Sequence, residues 1–149
     1  MDNDILIKVE HLSRRYGNTL AVNQLSFEVK RGEVLGFLGP NGAGKSTTMQ
    51  MLTGNLAPTA GAVTINGIDM LENPKEAKRA LGFLPEQPPL YRELTVDEYL
   101  NYCAQLNRIE KSKIAAAVDN AKQRCGLTEV NRRLINNLSK GYQQRVGIA

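Results

Sequence analysis

The first half of the chain consists of short apolar runs that are typical of β-strands. In residues 25–29 apolar and polar side chains alternate, which places Leu25, Phe27 and Val29 on one buried face. Residues 34–38 form a nearly continuous apolar run, as expected of a strand buried on both faces of a parallel sheet. These patterns predict strands over residues 5–9, 25–29, 34–38, 62–65 and 80–84.

Helical patterns appear after a Gly-rich turn and then dominate from Leu90 onward, where the apolar period lengthens. Thr95 and Glu98 have the spacing of a capping box, in which each residue satisfies a backbone N–H group of the other. The sequence predicts one helix over Lys45–Leu52 that ends before Gly54, one after Thr95, one that carries Ile114, Val118, Ala121 and Cys125 and ends at Gly126, and one that starts at Ser139.

Composition narrows the class of protein without naming a function. The chain has 149 residues, of which 42% are hydrophobic and 23% charged, and this is ordinary for a soluble globular domain. The net charge of +4 is compatible with phosphate-bearing ligands but too small to indicate nucleic acid, so no nucleic-acid partner is expected. The apolar stretches are too short to cross a bilayer, and the first ten residues lack the features of a signal peptide.

Residues 39–47, with the sequence GPNGAGKST, match the phosphate-binding pattern G-x-x-x-x-G-K-[ST] between a predicted strand and a predicted helix. Glycines at 39, 42 and 44 permit backbone dihedrals that turn successive N–H groups toward an anion. A lysine ammonium suits the outer phosphates, and a serine hydroxyl suits Mg²⁺. The predicted nucleotide-binding residues here are Gly39, Asn41, Gly42, Ala43, Gly44, Lys45, Ser46 and Thr47, with Ser46 as a metal ligand.

This loop, which we call the phosphate loop, is shared by kinases, GTPases and ATPases. The guanine-reading pattern N-K-x-D is absent, because the segment starting at Asn120 reads Asn-Ala-Lys-Gln. A small kinase would need an acceptor site and a basic lid, which the sequence does not indicate. The phosphate loop therefore predicts a nucleotide site, and the rest of the chain must specify its class.

Three further segments resemble the nucleotide-binding domain of ATP-binding cassette (ABC) transporters, and the resemblance extends over essentially all of the chain. Residues 138–145, LSKGYQQR, are similar to the LSGGQ-type signature; Tyr16 has the spacing of the adenine-stacking aromatic; and residues 81–91 are similar to the Q-loop. The resemblance implies an α/β fold, with a P-loop NTPase core, N-terminal antiparallel strands and a helical subdomain. It implies domains at 1–87 and 88–149, and it makes ATP and Mg²⁺ the expected ligands.

Two of these segments depart from the family pattern. In the Q-loop, alignment by the flanking apolar residues puts Glu86 at the usual glutamine position, while Gln87 lies one place later. We favour Glu86 as the residue near Mg²⁺, since a one-residue slip would break the flanking register. In the signature, Lys140 and Tyr142 replace the usual residues, but Ser139 and Gly141 are retained and are expected to face the ATP of a partner subunit.

The resemblance also implies how an intact protein would work. Two ATP molecules would lie between two head-to-tail copies of the domain, and closure would drive a transmembrane permease from the cytoplasmic side of the membrane. The family's general base follows the signature helix, beyond Ala149. We therefore expect a truncated chain that binds ATP without useful hydrolysis, and whose missing strands leave apolar surface uncovered. The sequence of the chain most resembles those of the ATP-binding subunits of bacterial multidrug and gliding-type exporters.

Two alternatives from other classes stay open. The chain could belong to a soluble ABC ATPase of DNA repair or translation, although the clustered basic residues or inserted arms of such proteins are not visible. It could also be a binding fragment without an ATPase role in its parent, a reading supported only by the unusual Glu86 and Tyr142.

Overall fold

A computed structural model describes residues 4–149 of the protein. Within it the chain forms two compact units, one that ends at Phe83 and one that begins at Leu84. We call them the strand unit and the helical unit. The division falls a few residues before the domain boundary expected from the sequence.

The strand unit is built on one antiparallel sheet of four strands in the order β2-β1-β3-β4. Its long hairpin joins β1 (Ile5–Tyr16) to β2 (Thr19–Lys30), and β3 (Ala60–Ile65) pairs with the other edge of β1. The short β4 (Ile68–Asp69) returns after a tight turn at Asn66 and Gly67, which both have positive φ. The predicted strands over residues 5–9, 25–29 and 62–65 are therefore confirmed, and all three are longer than predicted.

Two helices complete the strand unit. The predicted helix over Lys45–Leu52 is confirmed as α1, and α2 (Pro74–Arg79) begins with a proline, whose fixed φ suits the first helical turn. The core lies between the sheet and these helices. Its buried residues are Val9, Leu12, Val22, Met51, Leu52, Val63, Ile65, Met70 and Ala77.

The structure differs from the sequence-based prediction at residues 34–38. This segment is not a strand, and the side chains of Val34 and Leu38 are each 94% exposed. A strand forms only beside a partner, and no strand within residues 4–149 pairs with this segment. Its half-buried residue is Phe37, whose ring centroid lies 6.0 Å from that of Phe27. The prediction of a strand over residues 80–84 was wrong for the same reason.

The helical unit contains three α-helices, α3 (Val96–Leu106), α4 (Ile114–Cys125) and α5 (Lys140–Ile148), and three single-turn 3₁₀ helices at Lys111–Lys113, Thr128–Val130 and Ile135–Asn137. The capping box at the start of α3 is confirmed, since the Thr95 hydroxyl accepts from the Glu98 N–H and the Glu98 carboxylate accepts from the Thr95 N–H. Gly126 ends α4 in the left-handed conformation at φ 64°. The predicted helix boundaries in this half of the chain thus follow local chemistry.

The helical unit has its own core, formed by Val96, Leu100, Ala104, Val118, Leu127, Val130, Ile135, Leu138 and Val146. An ion pair joins two of its helices: the Lys122 ammonium lies 2.7 Å from Asp97 and 2.9 Å from Asp119. The hydrogen bond to Asp97, followed by the one to Asp119, raises the pKa of Lys122. Burial raises the pKa of Tyr99 to about 12, with a smaller contribution from a hydrogen bond with Cys103.

All of the helices are short. The longest, α4, has 12 residues, whereas about 20 are needed to span the hydrocarbon core of a bilayer. Over residues 4–149, no helix combines the length and the apolar character that a membrane crossing requires.

Candidate functional site

The phosphate loop connects the irregular segment after β2 to the first turn of α1. Gly42 and Gly44 both have φ 84°, in the left-handed region that favours glycine, and the Ala43 N–H between them donates to the Pro40 carbonyl at 3.2 Å. Left-handed glycines beside right-handed neighbours turn main-chain N–H groups toward a common point, which is how a backbone nest for anions is built. Two of the three predicted glycines therefore have the conformation that the cradle needs.

Gly39 has a different role from the one predicted. Within residues 4–149 the glycines with positive φ do not include Gly39, so left-handed geometry is not its function. A Cβ atom there would lie 3.2 Å from the Ala43 Cβ and close to the Lys45 side chain. The absence of a side chain at Gly39 allows the loop to fold back closely on its own residues.

Gly44 fixes the loop against the sheet. It caps the N-terminus of α1, and a Cβ atom at this position would overlap the main-chain carbonyl oxygen of Ala21 in β2. The Thr48 hydroxyl, which is buried, donates to the Gly44 carbonyl at 3.0 Å and reinforces this start of the helix. Sequence reasoning missed Thr48, because a hydroxyl inside a helix carries no distinctive pattern.

The ammonium group of Lys45 is directed into the phosphate loop. It donates to the carbonyl of Gly39 at 2.5 Å and to that of Pro40 at 2.7 Å. The next side chain, Ser46, is exposed at the same helix end, and Asn41 and Ala43 are exposed as well. The loop therefore presents a cation, a hydroxyl and main-chain N–H groups together, a combination that suits a polyphosphate.

The surroundings of Ser46 fit a magnesium ion held mainly by phosphate oxygens and water. Mg²⁺ takes oxygen ligands and usually needs only one or two of them from the protein when a substrate phosphate is present. Residues 4–149 contain no group of three or more His, Cys, Asp or Glu side chains that could bind a metal ion by themselves. Ser46 could hold the ion beside a bound phosphate, and the ion would neutralise phosphate charge.

Tyr16 lies at the end of β1 with 45% of its surface exposed, and it pairs with Thr19 across the hairpin. Thr19 is two positions from Ala21, the residue that contacts Gly44, a separation of about 7 Å along a strand. The guanidinium carbon of Arg14 lies 4.7 Å from the centroid of the Tyr16 ring. The structure thus brings the exposed aromatic ring to the same end of the strand unit as the phosphate loop.

Glu86 and Gln87 belong to the helical unit, and both side chains are exposed. The main-chain carbonyl of Glu86 accepts a hydrogen bond from the Gln144 side chain at 2.6 Å. A Cβ atom at Gly147, one turn further along α5, would lie 2.6 Å from Leu84 and 3.0 Å from Pro88. The predicted Q-loop therefore packs against α5, the helix of the signature segment.

Ser139 is the N-cap of α5, as its position in the signature predicts. Its hydroxyl accepts from the Tyr142 N–H at 3.4 Å, and both Ser139 and Gly141 are exposed. The Gln143 side chain donates to the carbonyls of Ile135 and Leu138 at 3.1 Å and so connects the first turn of α5 to the residues that precede the helix. Within the helical unit, the N-terminal end of α5 is open to a ligand, and a helix end of this kind favours anions.

Comparisons with known proteins indicate one protein family. A model of the ABC transporter family matches residues 22–149, which include the phosphate loop and the signature but not Tyr16. The chain is 39% identical over 144 residues to the bacitracin transport ATP-binding protein BcrA of Bacillus licheniformis. It is 34% identical to the ABC transporter ATP-binding protein NatA of Bacillus subtilis. These alignments cover 97% of this chain but only 46% of BcrA and 61% of NatA.

Solved structures confirm the predicted α/β fold class. The chain matches the ATP-binding subunit of an ABC transporter with a TM-score of 0.83 and 32% identity, and cbiO1 from Clostridium perfringens, part of the ABC transporter complex cbiONQ, with a TM-score of 0.86 and 29% identity. The matches cover 96% and 97% of this chain and 60% of each solved chain. The chain thus spans about half the length of the relatives it matches, and it belongs to the ABC transporter family.

Proposed function

We propose that this protein is the ATP-binding subunit of an ABC transporter. The observation that carries the proposal is the phosphate loop itself, where left-handed Gly42 and Gly44 shape the backbone and Lys45 is directed into the loop at the start of α1. Tyr16, exposed at the same end of the strand unit, is the surface on which the adenine would stack.

In this proposal each residue has a defined task. The main-chain N–H groups of the loop and the positive end of α1 hold the phosphates, and Lys45 exchanges its loop carbonyls for the outer phosphate oxygens. Ser46 would ligate the Mg²⁺ ion that the nucleotide brings, while Asn41 and Ala43 in the loop and Thr47 in the first turn of α1 would line the phosphate site. Glu86, or Gln87 in its place, would approach the metal in the assembled protein.

The open end of α5 supports a second part of the proposal. Ser139 and Gly141 are exposed at a helix N-terminus, where an anion is stabilised. We propose that they contact the γ-phosphate of ATP bound to a second, head-to-tail copy. Closure of that dimer would act on a transmembrane permease at the cytoplasmic face of the membrane. An exporter role is supported by BcrA, the relative named for bacitracin transport.

Hydrolysis by the whole protein would require a general base, and we identify none among residues 4–149. ATP binding by these residues is therefore proposed to occur without turnover, whereas ATP hydrolysis coupled to transport is proposed for the complete protein. Removing a catalytic group commonly lowers a rate by ~10²–10⁴-fold, so turnover by these residues alone would be close to background.

The experiment is a titration of the protein with a fluorescent ATP analogue in Mg²⁺, with phosphate release followed in the same samples. Lys45→Ala should weaken binding about 10- to 100-fold, because it removes a charge-assisted hydrogen bond to phosphate. Lys75→Ala is the matched control, since Lys75 is an exposed lysine of α2 and its loss changes the net charge equally.

The control separates local contact from general attraction. Equal weakening by both substitutions would show that the analogue responds only to net charge and would contradict the proposed site. Phosphate release that depends on Lys45 would show instead that residues 4–149 contain a general base, and the proposal of binding without turnover would be wrong.

A further inference from the structure

Arg14 contacts the candidate base-stacking residue directly. Its guanidinium carbon lies 4.7 Å from the Tyr16 ring centroid, and its Nη1 group donates to the main-chain carbonyl of Ala57 at 2.9 Å. The two side chains are two positions apart on β1, and alternation along a strand places such neighbours on the same face. The guanidinium thus lies between the tyrosine ring and the segment that joins α1 to β3.

Stability alone does not explain this arginine well. Its Nε atom is buried and has no hydrogen-bond partner among the described residues, and a buried unpartnered donor is destabilising. A planar guanidinium can stack on a ring and donate to a carbonyl at the same time, whereas an ammonium group is a point charge that serves one of these contacts. The arrangement uses the planarity that is specific to arginine.

The segment that holds Arg14 is itself connected to the phosphate loop. Ala57 follows α1, the helix that Gly44 caps, and nearby residues form two more contacts with the end of β1. The Arg15 N–H donates to the Thr59 hydroxyl at 3.1 Å, and the Thr59 N–H donates to the Ser13 carbonyl at 2.8 Å. The end of β1 that carries Tyr16 is thereby held against the segment that follows α1.

We propose that Arg14 is a positioning residue for nucleotide recognition: its guanidinium covers one face of the Tyr16 ring and holds the ring so that the nucleobase stacks on the other face. The inference rests on the proposed function, because it assumes that Tyr16 receives the base of ATP. Arg14 would then influence how much the base contributes to the affinity for ATP, although Arg14 itself does not contact the nucleotide.

The prediction separates the base from the phosphates. ATP uses both Tyr16 and the phosphate loop, whereas inorganic tripolyphosphate uses the loop alone. Arg14→Met removes the guanidinium but keeps an unbranched side chain, and it should weaken ATP binding about three- to tenfold. Tripolyphosphate binding should be unchanged. Tyr16→Ala should weaken ATP binding about five- to a hundredfold, again without an effect on tripolyphosphate.

The experiment measures both affinities by calorimetry in Mg²⁺ for the protein, the two variants and the double variant. Arg15→Met is the matched control, because Arg15 is exposed and its guanidinium contact is a 3.5 Å hydrogen bond to the Asn18 carbonyl. In the Tyr16→Ala background, Arg14→Met should have no further effect on ATP. Arg14→Lys retains the charge and should bind ATP more weakly than the unmodified protein, while its affinity for tripolyphosphate should be unchanged. This variant gives the same test if Arg14→Met fails to fold.

Three results would overturn the inference while leaving the proposed function intact. In the first, Arg14→Met binds ATP as tightly as the control Arg15→Met. In the second, Arg14→Met weakens ATP binding in the Tyr16→Ala background as much as it does in the unmodified protein. In the third, Arg14→Met weakens tripolyphosphate binding as much as ATP binding, which would indicate a structural role. A protein that binds neither ATP nor tripolyphosphate would overturn the proposed function, and the inference with it.

Discussion

The two units of this chain form their candidate ligand contacts in different ways. In the strand unit the phosphate loop is shaped by main-chain atoms, and the apolar segment that leads into it, residues 34–38, pairs with no strand in the described part of the chain. In the helical unit the signature segment begins with a side-chain cap at Ser139 and is held by side-chain hydrogen bonds from Gln143 and Gln144. The helix starts of the helical unit are thus set mainly by residues close in sequence, whereas a strand over residues 34–38 would need a partner that is distant in sequence.

The largest expected effects compare the two cores directly. Leu12 in the strand unit and Leu127 in the helical unit are both fully buried, and each substitution to alanine should lower the free energy of unfolding by about 2–5 kcal/mol. Because each leucine belongs to its own core cluster, we expect protection from hydrogen exchange to fall in the substituted unit. Exchange measured peptide by peptide checks this, and equal losses in both units would show that the chain unfolds as one.

A smaller effect tests the main-chain character of the phosphate loop. Gly42 and Gly44 have the same φ of 84°, and alanine in that conformation costs about 1–2 kcal/mol at either position. A Cβ atom at Gly42 meets open space, whereas one at Gly44 meets the Ala21 carbonyl oxygen. Gly44→Ala should therefore lower the melting temperature and the ATP affinity more than Gly42→Ala does, and equal effects would mean that the contact with β2 is unimportant.

The smallest effect concerns a local signal in the helical unit. Thr95→Ala removes the cap of α3 and should cost about 1 kcal/mol near neutral pH, whereas Thr95→Ser should be nearly neutral because it keeps the hydroxyl. Hydrogen bonds from the backbone and side chain of Thr95 hold the pKa of Glu98 below its ordinary value of 4.5.

The lowered pKa gives this prediction a pH dependence. A carboxylate whose pKa is depressed by folding contributes stability above its unfolded value, and this contribution is lost as the pH falls through the folded value. The difference in the free energy of unfolding between the unmodified protein and Thr95→Ala should therefore shrink as the pH is lowered below about 4.5. Urea unfolding followed by circular dichroism measures this difference at each pH. A difference that does not change with pH would show that the Thr95 hydroxyl contributes nothing to the lowered pKa of Glu98, since the N–H group of residue 95 is present in both proteins.

The same contrast explains which features were predictable from the sequence. The capping box at Thr95, the end of α4 at Gly126 and the helix start at Ser139 were predicted because each depends on residues three or four positions away. The phosphate loop was predictable because its whole motif is contiguous, and its position at the start of α1 is confirmed.

The features that were not predictable depend on long-range partners. The apolar pattern of residues 34–38 indicates burial but not the strand that must lie beside it, so its prediction as a strand was wrong. The contact of Arg14 with Ala57 joins residues 43 positions apart and leaves no trace in local pattern. Gly39 was assigned an unusual backbone conformation, whereas its importance comes from the proximity of Ala43. The choice between Glu86 and Gln87 stays a prediction.

Two glycines described above differ in how evolution could replace them. At Gly147 the closest atom that an added Cβ would meet is the end of the Leu84 side chain, so a smaller residue at position 84 could compensate in a suppressor screen. At Gly44 the obstacle is the peptide carbonyl of Ala21, which every amino acid carries. No exchange of side chain at position 21 could remove it. Glycine at 44 is thus a residue for which a lineage has no substitute, whereas glycine at 147 is one that a lineage could exchange in two steps.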